Sequence, residues 1–209
     1  MAGQSPTTIT KRNVLAVEGA DENNFFQVLL RHAAITEIQI VEAGGKNQFK
    51  NRLPELLKIP GFYLPDGSPF VERLAIVRDK DQDDAFQSIA NIVQKAGLAP
   101  PGKHGEFSDG DPKVGIFIMP GEQATGTMLE DLCLEAVQMH PAMECVREFA
   151  ACIERLLNAP TNSSKAQCQA FLAAQPEIVN CVGLGAQKGY WDLDSPSLDE
   201  LKAFLMHMK

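Results

Sequence analysis

Two acidic runs stand where the chain leaves hydrophobic segments: Val17-Glu18-Gly19-Ala20-Asp21-Glu22 and Asp79-Lys80-Asp81-Gln82-Asp83-Asp84. A carboxylate that ends a buried apolar strand costs on the order of a few kcal/mol unless something pairs with it. In extended backbone Asp79, Asp81 and Asp83 point to one side, and Gly19 permits a tight turn that brings Glu18 and Glu22 together. Hard oxygen donors gathered in this way select Mg²⁺, Mn²⁺ or Ca²⁺ rather than zinc, and repel one another without such a cation. Asp83 and Asp84 also precede a helical pattern, where acids cap the N-terminus and favour the helix dipole.

Phosphoryl chemistry at a metal also wants a protein cation near the phosphate. Lys46 follows Gly44-Gly45 at the start of a helical pattern, whose free N–H groups favour an anion. Lys188, in Gly185-Ala186-Gln187-Lys188-Gly189-Tyr190-Trp191, is the second candidate. Trp191 beside it reads first as a core anchor, and otherwise as a stacking surface for a base. Lys80, between two candidate ligands, is expected to point away from them. His32, His104, His140 and His207 lack ligand spacing, the five cysteines form no CxxC pair, and no GxSxG elbow is present.

Short β-branched runs alternate with helical patterns through the first half, which predicts a parallel sheet covered by helices on both faces. Strands are expected over Arg12–Glu18, Glu37–Ala43, Arg73–Arg78 and Lys113–Met119, and helices over Asn23–Ala34, Asn47–Lys58 and Asp84–Ala96. After Met128 the pattern is helical over Met128–Gln138, Pro141–Asn158, Ser163–Ala174 and Ser197–His207, with Ser163 and Ser164 as candidate N-caps. The expected fold is α/β, with a parallel four-stranded sheet in residues 12–134 and a helical C-terminal extension, residues 135–209, packed on or over the site. Sheets of this kind put their sites at the C-terminal ends of the strands, where Glu18 and Asp79 stand.

The Glu-Gly turn after the first strand and the acidic run after the third, a βαβα unit apart, resemble the Toprim superfamily over roughly Asn13–Leu134. That superfamily includes topoisomerases, bacterial primases and nucleases of the overcoming-lysogenisation-defect (OLD) type. The pattern is most similar to the OLD-like branch, in which a second acid four residues after the first glutamate joins the metal site. The resemblance implies that Glu18, Glu22, Asp79, Asp81, Asp83 and Glu130 hold Mg²⁺ or Mn²⁺, and that a late lysine, here Lys188, serves the phosphate. The runs MPGEQATGTMLEDLCL and QKGYWDLDSP are similar to those of small standalone bacterial Toprim-like proteins without assigned function.

Composition bounds the function further. With 209 residues and 44% hydrophobic content the chain suits one α/β domain with an appendage, or two small domains, and no apolar run approaches the ~20 residues that span a bilayer. A soluble, cytoplasmic protein with reduced thiols is expected. The net charge of −8 argues against a broad basic surface, so contact with DNA or RNA is expected to be weak or mediated by metal. The expected activity is Mg²⁺- or Mn²⁺-dependent phosphodiester hydrolysis on nucleic acid, with Glu18, Asp79 and Asp81 at the metal and Lys46 or Lys188 at the phosphate. The competing reading is a non-catalytic regulatory or binding module with a protein partner, in a defence or toxin system; oligomer formation is open in both.

Overall fold

The computed structural model describes residues 8–80 and 84–209. Its strands are β1 (Asn13–Val17), β2 (Ile38–Glu42), β3 (Arg73–Asp79) and β4 (Lys113–Met119), and its first helices α1 (Ala20–His32), α2 (Lys46–Leu56) and α3 (Ala85–Lys95). The later helices are α4 (Leu129–Ala136), α5 (Ala142–Ile153), α6 (Ser163–Ala173), α7 (Val182–Gln187) and α8 (Asp199–Met206). All strand pairings are parallel and the order is β2-β1-β3-β4, so the protein is α/β with a four-stranded parallel sheet flanked by helices.

Alternation along the strands divides the interior in two. Val14, Ala16, Leu74, Ile76, Val114 and Ile116 face α2 and α3. Leu15, Val17, Ala75, Val77, Phe117 and Met119 face the other way, toward α1 and the late helices. Residues 135–209 therefore do not hang off the sheet: Phe171, Leu201, Phe204 and Leu205 are buried in the same cluster as the strand residues. Phe204 stacks on Phe107 at 5.1 Å and meets Phe117 at 5.3 Å. Trp191 is a core anchor, stacked 5.1 Å from Phe171 with its indole N–H donated to the Val182 carbonyl.

Three local expectations are corrected. Helix α1 starts at Ala20 rather than Asn23, because the Glu22 side chain turns back to accept the Gly19 N–H at 3.1 Å and closes the first turn. The N-cap of α6 is Asn162, whose side chain accepts the Lys165 N–H at 2.8 Å, while Ser164 instead donates its hydroxyl to Asp131. Helix α7 lies in a stretch where no helix is predicted. Asp84 does cap α3, accepting the Gln87 N–H at 3.2 Å.

The order 2-1-3-4 has a consequence for the site. The chain leaves β1 toward β2 on one side and returns to β3 on the other, so the crossovers diverge above the C-terminal ends of β1 and β3. Such a switch point opens a crevice between the two loops, and Glu18 and Asp79 flank it.

Candidate metal centre

Parallel register brings the two sides of the crevice together. Ala16 pairs with Ile76, so two residues further on Glu18 comes alongside Arg78. Arg78 Nε lies 2.9 Å from Glu18 Oε1, an ion contact bent away from hydrogen-bond geometry. The same guanidinium donates to the Gly44 carbonyl at 2.8 Å and lies 5.3 Å from the centre of the Phe49 ring. Arg78 is 3% exposed, so it is a fixed internal counter-ion rather than a surface charge. Gly45 lies against the same carboxylate, where a Cβ would make ordinary contact with Glu18 Oε2 at 3.5 Å.

Asp79 ends β3 on the other side. Its Oδ1 accepts the N–H of Leu129 at 3.1 Å, so the N-terminus of α4 is aimed at the carboxyl group. Burial pushes its pKa from 3.8 up to about 8, reinforced by the charges of Glu18, Glu130 and Glu22 and opposed by the Leu129 hydrogen bond. Glu22 is also raised, by burial first and then by Glu18, Asp21 and Glu130, against its hydrogen bond in the first turn of α1. Glu130, on the first turn of α4, has Lys165 Nζ 3.7 Å from its Oε1.

Glu18, Glu22, Asp79 and Glu130 thus form one electrostatic group built from β1, α1, β3 and α4. Among the described residues, however, no three His, Cys, Asp or Glu side chains are drawn into a metal cage. The two observations are compatible, because Coulomb repulsion in a poorly solvated crevice reaches well beyond a ligand sphere. The donor set is all carboxylate, which fits Mg²⁺ or Mn²⁺. Asp81 and Asp83 lie outside the described residues, as does the side chain of Lys46, whose backbone opens α2 directly after Gly45.

Lys188 is placed differently. It follows α7, and its ammonium pairs with Glu177 at 2.6 Å, a contact that raises its pKa. Its neighbour Gln187 is the residue that reaches back to α1, donating to Asn24 at 3.1 Å. Lys80 is exposed, and it lines a cleft of about 420 Å³ together with Phe86, His104, Ile118 and Glu122. That cleft begins one residue from Asp79.

Several contributors escape sequence reasoning. Arg78 is the main one; its signal was a charged residue between the apolar run Leu74–Val77 and the strand-end acid Asp79. Asp131, beside Glu130, accepts the N–H groups of Thr127 and Met128 at 2.7 and 3.1 Å and so fixes the start of α4. Gly126 is needed there, having φ +109° and a Cβ position 2.3 Å from Asp131 Cγ. Glu200 of α8 holds the preceding loop by accepting the N–H groups of Glu122 and Gln123 at 2.9 and 3.0 Å, with His104 Nε2 3.0 Å from its other oxygen.

Residues 12–208 match a family model described as a protein of unknown function (DUF3226), and the chain belongs to that family. No curated protein and no solved structure matches it.

Proposed function

We propose that this member of the DUF3226 family is a Mg²⁺- or Mn²⁺-dependent phosphodiesterase acting on DNA or RNA, a nuclease of the Toprim kind. Glu18, Glu22, Asp79 and Glu130 are the described ligands, and Asp81 and Asp83 complete the proposed set. One observation carries this reading: at the β1/β3 switch point Asp79 is half-buried in the company of Glu18, Glu22 and Glu130, and burial together with their charges raises its pKa to about 8. Like charges kept together in a crevice are characteristic of sites that receive a cation.

When bound, the ion would neutralise phosphate charge and acidify a coordinated water. The protein's own contributions are positional. Arg78 orients Glu18, the α4 N-terminus orients Asp79, and Asp131 fixes α4 so that Glu130 faces the crevice. The adjoining cleft offers space for a nucleotide, with Lys80 at its rim to meet a phosphate. Lys46 and Lys188 remain proposed phosphate partners; Lys188 would first have to leave Glu177. Free cysteines and the lack, among the described residues, of any helix long and apolar enough to cross a membrane accord with a cytoplasmic protein.

A second reading, a regulatory module that binds metal or a protein without hydrolysis, is favoured by the internal neutralisation of Glu18 and by the net charge of −8. The two separate in one experiment. Wild-type protein, Glu18→Gln, Asp79→Asn and Lys188→Met are incubated with Mn²⁺ and a panel of single- and double-stranded DNA and RNA. The nuclease reading expects cleavage by the wild type, none by the two carboxylate variants, and reduced cleavage by Lys188→Met with metal-induced thermal stabilisation intact. Wild-type protein that gains thermal stability from Mn²⁺ yet cleaves nothing transfers the assignment to the regulatory module.

A further inference from the structure

Helix α5 carries more apolar surface than the fold uses. Its inner face, Met143, Val146 and Ala150, is buried. A second stripe beside it, Cys145, Phe149, Cys152 and Leu156, faces solvent, with Phe149 43% and Leu156 57% exposed. Leu156 lies just past the helix, but its N–H bonds to the Ile153 carbonyl at 3.0 Å and continues the winding. Steps of four, three and four residues make a helical seam, since residues three and four apart share one face.

The seam reads the same in both directions, and its sizes alternate. In an antiparallel pair related by a two-fold axis, Cys145 comes opposite Leu156 of the other copy and Phe149 opposite Cys152, so each layer sets a small side chain against a large one. Glu148 and Arg155 sit one residue before Phe149 and Leu156, on the solvent-side margin of the seam. Both are exposed, and neither has an ion pair among the described residues. The same two-fold axis brings Glu148 of each copy near Arg155 of the other. A parallel pair would instead set Glu148 beside Ile153 and leave both charges unmatched.

We infer that the exposed stripe of α5 is an isologous, antiparallel dimer interface, and that its occupant is a second copy of this chain. Isologous contacts require a self-complementary surface, and both the volumes and the charges here complement themselves. The inference does not rest on the metal centre. The seam is short, well under the roughly 800 Å² per partner of a standard interface, so the expected dimer is of about micromolar strength.

Sedimentation equilibrium from about 1 to 300 μM protein, with reductant present to exclude disulfide dimers, tests this at the expected affinity. The wild type should dimerise reversibly, and Phe149→Glu should raise Kd at least about tenfold, as for burying an unpaired charge in an apolar contact. Leu156→Glu is the second probe; both side chains are exposed, so circular dichroism should show the fold unchanged. Glu148→Arg and Arg155→Glu should each weaken association by a factor of about three to ten, and the double exchange should restore it. A monomer throughout the range, a dimer indifferent to both seam variants, or single exchanges that the double exchange does not rescue would each overturn the proposal. So would a stripe that becomes covered only when a different protein is added.

Discussion

At the scale of single residues the centre is a set of opposed costs. Asp79 holds a proton in the folded chain up to about pH 8, whereas its ordinary value is 3.8. Between those values the folded state binds a proton that the unfolded state has released, so this group's contribution to stability falls as pH rises and is fully unfavourable above about pH 8. Asp79→Asn removes the ionisation while keeping an oxygen for the Leu129 N–H. In chelator the variant should therefore be more stable than the wild type at pH 8, by on the order of a few kcal/mol, with the gap closing toward pH 4. Urea unfolding at several pH values measures this, and a variant less stable at pH 8 would refute the assignment of the cost. With excess Mn²⁺ the order should invert, since a ligand that binds the folded state alone stabilises by mass action. Arg78 has the opposite character. Arg78→Met would remove the buried guanidinium beside Glu18 and the donor to the Gly44 carbonyl, and should cost about 3–5 kcal/mol in the same assay. Glu18 and Asp79 stood out in the sequence because strand-end acids are expensive, Glu22 through the Gly19 turn and its spacing from Glu18, and Glu130 only through the resemblance. Arg78 was not legible, because its meaning depends on a register and a neighbouring loop that only the folded sheet supplies.

At the scale of elements, strands and long helices were legible within a few residues, because their apolar periodicity spans enough positions to be unambiguous. Helix α7 was not legible. Its six residues, VGLGAQ, contain two glycines, and its helicity comes from outside. The Asp21 carboxylate on α1 accepts the N–H groups of Val182 and Gly183, and Gly183 lets the two helices approach closely, while Gly185 makes room for Leu172 and Trp191. A Cβ at position 183 would fall 2.4 Å from the Asp21 carbonyl oxygen, which is backbone and cannot swing aside. Gly183→Ala should accordingly destabilise the protein by about 1–3 kcal/mol, the range for overpacking, although alanine is the better helix former. Asp21→Ala should cost about 1–2 kcal/mol as a lost cap and speed hydrogen exchange of the α7 amides more than those of β1. Unchanged exchange in α7 would mean that the helix holds without the cap. Asp21 lies between two candidate ligands in the sequence, and only the tertiary contact shows that its task is structural.

At the scale of the whole molecule, the division into a sheet of residues 12–134 and an extension of residues 135–209 describes the sequence better than it describes the core. One of the two interior clusters is made jointly by Leu15, Val77 and Phe117 from the strands and by Phe171, Leu201 and Phe204 from the late helices. Without those helices the part of this face that α1 and α4 leave uncovered would meet water, whereas parallel sheets are normally covered on both faces. The extension also reaches the site's surroundings, through Glu200 of α8, which holds the loop after β4, and through α7, whose first N–H groups are accepted by Asp21 of α1. Folding should therefore be a single cooperative event, and the chain carries its own reporter. Trp191 is the sole tryptophan, buried in the extension against Phe171. Its fluorescence in urea follows the late helices, while hydrogen exchange of the β1 and β3 amides in the same solutions follows the sheet. The two transitions should coincide in midpoint and slope, as they do when one unit unfolds. Phe204→Ala, which removes the ring that touches both Phe107 and Phe117, should lower both together by about 3–5 kcal/mol. A Trp191 transition that precedes loss of strand protection, or a Phe204→Ala variant that shifts one probe and not the other, would restore two separable domains and detach the late helices from the stability of the candidate site.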